Sequence, residues 1–200
     1  RRRRNRRLDM VNRIAVFVSG NGSNFENITR YLKGNGKAEV ALLVSNKADA
    51  FALKRAENLG VESVVWTKSD FADEQRTLRM LSERNISFIV LAGFLLMVPA
   101  YLIRHFNRRM VNIHPSLLPK YGGKGMYGNH VHEAVKAAGE TETGITIHYV
   151  SEVCDGGDII RQEKTALTPN DTPDDIAMKV HALEKEYFPQ TILEIIEDKE

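Results

Sequence analysis

The sequence predicts a Rossmann-like, doubly wound α/β fold, a mostly parallel sheet with helices on both faces. Three observations predict it. Short β-branched apolar runs recur, RIAVFV at residues 13–18 and FIVLA at 88–92, and such runs read as strands buried on both faces. Helical patterns of 10–15 residues alternate with them, which implies right-handed βαβ crossovers. The first apolar run also passes straight into a glycine-rich turn, SGNGSN at 19–24.

The elements follow in order. After the strand at 13–18, Phe25, Ile28 and Leu32 form one face of a helix, with Ser23 or Asn24 as expected N-cap and Lys33-Gly34-Asn35-Gly36 as its end. Residues 40–45 are a strand, 50–59 a helix closed by Gly60, 61–66 a strand, 69–84 a helix capped by Ser69 or Asp70, and 88–92 a strand. The second half is less regular. A short helix at 99–106 starts with proline, and 110–114 (MVNIH) is a strand. Residues 115–129 hold four glycines and read as a mobile lid. A helix at 130–138 and strands at 144–150 and 157–166 follow. A terminal helix at 171–196, capped by Asp171 or Thr172, should be kinked or broken by Pro189.

Of the 200 residues, 42% are hydrophobic and 27% charged, ordinary for a globular protein. No apolar run approaches the ~18 residues that span a bilayer, and no secretory segment is evident, so the expected location is cytoplasmic, with no membrane partner. The lone cysteine, Cys154, excludes an internal disulfide and a Cys-rich zinc site. Its neighbour Asp155 would raise a thiol pKa, which argues against a nucleophile. Seven arginines and one acid give residues 1–13 a charge of +6, which leaves −4 of the total +2 for the remainder. Residues 1–12 are expected to be a disordered basic arm or an appended remnant, with Met10 as the natural start, and 13–197 a single domain. No nucleic-acid partner is expected. Monomer and homodimer both remain open.

Two stretches carry chemistry. The SGNGSN turn opening a helix suits an anion, because glycines admit backbone N–H groups and the helix dipole favours negative charge. A dinucleotide fingerprint needs a third glycine where Phe25 stands, and an acid where the second strand ends in Ser45-Asn46. No Walker loop occurs, so a monophosphate fits better. The second stretch is NIHPSLLP at 112–119. Asn112 and His114 face the same way on a strand that Pro115 ends. An amide beside an imidazole at the carboxyl end of a strand suits an oxyanion. Asp155-Gly156-Gly157 could bring a carboxylate to His114 and raise its pKa. Taken alone, Asn-x-His also fits a structural hydrogen bond and Asp-Gly a turn. His130 and His132 diverge on a helix and lack a clear third ligand, so substrate or lid contacts are expected there rather than a metal.

In this order, SGNGSN, SNKADA at 45–50, LAGF at 91–94, NIHPSLLPKY at 112–121, GITIHYV at 144–150 and Asp155-Gly156-Gly157 resemble the folate-dependent phosphoribosylglycinamide formyltransferase family over residues 13–196. The resemblance implies the formyltransferase fold. It also implies transfer of a formyl group from 10-formyltetrahydrofolate to the amine of glycinamide ribonucleotide, in purine biosynthesis, without a metal. Catalytic roles would fall on Asn112, His114 and Asp155. Gly22, Ser23, Asn24, Phe25 and Glu26 would hold the substrate phosphate, with His181 and Glu184 at the phosphoribosyl part. Leu95, Leu96, Met97 and Val98, with Ser151, Glu152, Val153, Cys154 and Asp155, would wall the folate pocket beside Asn112.

Three departures stand out. Glu74 and the run at 95–98 replace arginines that family members use for the folate tail, and the loop at 122–129 is longer and richer in glycine. The implied mechanism is direct transfer, with protonated His114 and the Asn112 amide stabilising a tetrahedral oxyanion and Asp155 keeping His114 charged near neutral pH. Rival readings are a formyltetrahydrofolate deformylase and methionyl-tRNA formyltransferase, whose extra domains a chain of 200 residues leaves little room for. A non-catalytic phosphate-binding module would leave Asn112, His114 and Asp155 without a task.

Overall fold

The computed structural model describes residues 10–199, so most of the arm expected at 1–12 lies outside the described residues, and its last residue, Asn12, instead opens the first strand. Seven strands follow the apolar runs: β1 (Asn12–Val18), β2 (Ala38–Ser45), β3 (Glu62–Val65), β4 (Phe88–Leu91), β5 (Met110–His114), β6 (Glu142–Tyr149) and β7 (Ile159–Ala166). They form one sheet in the order β3-β2-β1-β4-β5-β6-β7. β1 to β5 pair in parallel, while β6 and β7 join antiparallel. The strand order reverses between β1 and β4, and open α/β sheets bind ligands at the carboxyl ends of strands at such a switch point.

Helices cover both faces. On one lie α1 (Ser23–Leu32), α2 (Phe51–Leu59), α6 (Asn129–Ala137) and α7 (Pro173–Asp198), with Phe25, Ala52, Val131 and Phe188 in one core. On the other lie α3 (Lys68–Phe71), α4 (Glu74–Ser82) and α5 (Ala100–His105), packing Phe71, Leu81 and Leu102 with Trp66. α7 packs against α1 and α6 and so closes one side of the crevice.

Some local expectations change. The N-cap of α1 is Gly22, not Ser23 or Asn24, and no side chain caps the helix. The helix expected over 69–84 is two helices. Thr67 and Asp70 form a capping box on the first, and the Asp73 carboxylate accepts from the Arg76 N–H to restart the second. α7 begins as expected, on a Thr172–Asp175 capping box with proline in its first turn. It then runs through Pro189 without a break. Pro189 is buried between helical turns whose packing into the core outweighs the hydrogen bond it cannot make.

Candidate active site

β1 delivers its chain to the crevice at Ser19. Its hydroxyl is buried, donates to the Asn46 carboxamide oxygen and accepts from the Leu95 N–H at 2.8 Å. The loops after β1, β2 and β4 are thereby tied together. Gly22 then turns in the left-handed region with φ 78°, and a Cβ there would lie 2.5 Å from the Cβ of Ala52. Only glycine satisfies both conditions. Because α1 starts with no side-chain cap, its first-turn N–H groups remain available to an anion.

α7 presents His181 and Glu184, one turn apart on the same face. Glu184 is buried and accepts a hydrogen bond from the Asn24 amide. Burial pushes its carboxyl above the usual range, against the pull of Asn24 and His181.

The carboxyl end of β5 meets β6 in antiparallel register, with Asn112 opposite His148 and His114 opposite Thr146. His148 Nδ1 lies 2.9 Å from the Tyr149 carbonyl and Nε2 lies 3.1 Å from Asn112 Nδ2. These partners assign Nδ1 as the protonated nitrogen, leaving Nε2 to accept from the Asn112 amide. Asp155 follows β6 in the left-handed region at φ 54°. One of its oxygens is 3.7 Å from both His114 Nδ1 and His148 Nε2, and the other accepts from the Gly123 N–H at 2.9 Å. Burial pushes the Asp155 carboxyl up. Contact with His148, the Gly123 N–H and the His114 charge outweigh it and hold the group below the usual carboxylate range.

His114 is 5% exposed, and its Nε2 lies 2.7 Å from the Tyr121 carbonyl. Each ring nitrogen therefore faces an acceptor, which only the imidazolium satisfies at both ends. Burial works against that charge. It outweighs Asp155 and the Tyr121 carbonyl, which pull upward, and His148 adds a smaller push down. The balance lies below the ordinary histidine value. The expectation that Asp155 raises the His114 pKa holds for that one contribution, while the net direction is downward. Asp155 acts in the expected direction, but desolvation is the larger effect.

Much of this arrangement borders one cavity of about 790 Å³. Its lining includes Gly22, Ser23 and Asn24, with His181 and the Asn24-bonded Glu184. Asn112, His114, Cys154 and Asp155 also line it, as do the apolar Leu95, Leu96 and Met97. Phe94, stacked edge-on to Phe17 and Phe71 at 5.4 and 5.8 Å, stiffens that apolar stretch from beneath.

Six expected residues do not line the cavity. The Phe25 side chain is in the core, and Glu26 turns to Arg55 at 3.3 Å. Val98 packs beneath the sheet. The Ser151 hydroxyl braces its own turn through Val153, Glu152 pairs with Arg104 at 3.3 Å, and Val153 faces outward. The sequence reading attached no role to His148 or to the Tyr121 carbonyl, and expected of His132 only a substrate or lid contact. Lys124, from the glycine-rich loop, is the sole lysine or arginine on the lining. For His148 the signal was its place on the strand facing the Asn-x-His pair. The register that makes it matter is not local.

An anion turn, a buried imidazole–carboxylate–amide cluster and an apolar wall around one switch-point crevice fit a group-transfer enzyme of the α/β type. The chain belongs to the formyl transferase family, which it matches over residues 12–192. It is 37% identical to a phosphoribosylglycinamide formyltransferase, chloroplastic, of Arabidopsis thaliana, over 94% of this chain and 66% of that protein. The Bacillus subtilis phosphoribosylglycinamide formyltransferase is 36% identical, over 93% of this chain and 95% of its own length. Among solved structures, the phosphoribosylglycinamide formyltransferase of Anaplasma phagocytophilum superposes with a TM-score of 0.86 at 29% identity, covering 95% of this chain and 89% of that one. The chain spans just under two thirds of the plant relative and nearly all of the Bacillus one.

Proposed function

We propose that residues 13–197 form one catalytic unit that transfers a formyl group from 10-formyltetrahydrofolate to the amine of glycinamide ribonucleotide. The observation that carries this reading is the linked set Asn112, His148, Asp155 and His114, of which Asn112, His114 and Asp155 line one cavity together with the Gly22–Asn24 turn and the apolar Leu95, Leu96 and Met97. The names of the relatives supply the substrate.

The phosphate sits on the N–H groups after Gly22, and the ribose hydroxyls meet Glu184. The reduced pterin ring lies along Leu95–Met97 with the formyl group toward Asn112 and His114. The amine nitrogen attacks the formyl carbon and a tetrahedral oxyanion forms. The second N–H of the Asn112 amide, left over from the bond to His148, donates to that oxygen. His114 donates as well, and to do so it exchanges the Tyr121 carbonyl for the formyl oxygen, so the loop carrying Tyr121 shifts as substrate enters. Each such donor is typically worth about 10²–10³ in rate. The developing negative charge offsets the desolvation that disfavours a charged His114. Collapse breaks the bond from the formyl carbon to the folate nitrogen, and the proton lost by the amine passes to that nitrogen through Asp155 and water.

No helix among the described residues is long and apolar enough to cross a membrane. A cytoplasmic location is proposed together with the activity. The test is an absorbance assay of formyl loss from 10-formyltetrahydrofolate with and without glycinamide ribonucleotide. Turnover only with the ribonucleotide is expected; turnover without it would replace the transferase with a deformylase.

A further inference from the structure

One buried polar group in the cavity is used by no step above. His132 stands in the first part of α6, is 2% exposed, and lines the cavity. Its Nδ1 is buried without a hydrogen-bond partner among the described residues. Native structures rarely leave such an atom unpaired, because the lost solvation is not repaid. Burial, with smaller pushes from His181 and His114, brings its pKa down to about 4, so the ring is neutral near pH 7. A neutral imidazole offers one N–H and one lone pair, and no charge that would compete with His114.

Its position narrows the ligand. His132 lines the same cavity as His181, on the face of α7 that carries Glu184, and His114, at the proposed transfer centre, and lies near enough to both for their charge to act on it. In glycinamide ribonucleotide a single group lies between the ribose and the reacting amine, a secondary amide with one N–H and one carbonyl. Resting on the glycinamide reading above, we propose that His132 is a specificity residue whose imidazole hydrogen-bonds that amide. It thereby separates the glycinamide from phosphorylated sugars that fill only the phosphate and ribose sites. A site built around a polar partner discriminates strongly against a ligand that lacks it, because its own group is then left unpaired.

The experiment compares two probes by calorimetry, glycinamide ribonucleotide and ribose 5-phosphate, on the whole chain. His132→Leu is expected to weaken the ribonucleotide by at least about tenfold and to leave ribose 5-phosphate within about twofold. His132→Asn, which keeps a polar atom near Nδ1, is expected to recover part of the loss. In turnover the Leu variant should raise KM for the ribonucleotide and leave KM for the folate unchanged. Unchanged ribonucleotide affinity would overturn the assignment, and so would equal weakening of both probes, the mark of a merely structural role. If the Leu variant lacks a thermal unfolding transition, the same comparison on His132→Asn decides. Wild-type protein that shows no ribonucleotide-dependent turnover would instead sink the functional reading itself.

Discussion

From Ile14 to Val18 and from Phe88 to Leu91, β1 and β4 carry no polar side chain, whereas β5 and β6 bring Asn112, His114, Thr146 and His148 into the interior. Under the proposed function the two halves of the sheet would meet ligands in different ways. On the β1 side, recognition would use backbone N–H groups and depend on a glycine's φ and on the small Ala52 opposite it. On the β5–β6 side, it would use side chains, and each buried polar group needs a partner. Thr146 illustrates the cost of that arrangement. Its hydroxyl donates to the Ser116 carbonyl at 2.7 Å and accepts from the Leu118 N–H and the Gln162 amide at 3.0 and 2.9 Å. Backbone recognition tolerates change in side chains but not in φ; side-chain recognition shows the reverse dependence.

The contrast can be broken by experiment, the largest effect first. His114→Ala and Asp155→Asn should each lower turnover by about 10³-fold with KM changed only a few-fold, read by steady-state kinetics. Near wild-type turnover in either variant would remove the side-chain cluster from the chemistry. Gly22→Ala meets a positive φ and a 2.5 Å contact, so it should cost about 1–3 kcal/mol of stability and raise KM for the phosphorylated substrate roughly tenfold. If saturating turnover fell as far as in Asp155→Asn, the two halves would not be separable. His148→Leu removes the acceptor that orients the Asn112 amide and should lower kcat about 10-fold to 100-fold, with about 1–3 kcal/mol lost in stability from the partners it leaves unpaired.

The smallest effect concerns pH. His132 has its pKa lowered from 6.5 to about 4 in the fold, so the unfolded chain binds the proton more readily. Stability from this group is complete above about pH 6.5 and is lost as pH falls toward 4. By urea unfolding, wild type should lose about 2 kcal/mol more stability than His132→Asn between pH 7 and pH 5. His114, also lowered, acts in the same direction. Equal losses in the two proteins would show that His132 is not buried as described.

Much of the β1 side was legible because its signals are local. Apolar runs, the SGNGSN turn and Gly60 at the end of α2 each declare themselves within a few residues. The break at Asp73 was missed because residues 69–84 keep a helical pattern across it, and the cap at Thr67 lies before the apolar face begins. On the β5–β6 side, the types of the polar residues were legible and their network was not. The pairing of Asn112 with His148 depends on an antiparallel register that joins residues 36 positions apart. Phe25 and Glu26 belong to the recognised motif, yet helical periodicity turns one into the core and the other toward Arg55. The net direction of the His114 shift was hidden for a related reason: a neighbouring carboxylate can be read from sequence, but the depth of burial that opposes it cannot.

Cys154 gives the experimenter a handle. It is the chain's lone thiol, it is exposed, and its sulfur lies 3.8 Å from an Asp155 oxygen. Burial of the sulfur and the adjacent carboxylate push the thiol above its usual pKa. At neutral pH it should therefore alkylate slowly despite its exposure, and speed up sharply in alkaline buffer. A fluorophore placed there would report the environment of the Asp155 loop from a single position, with no cysteine background to remove.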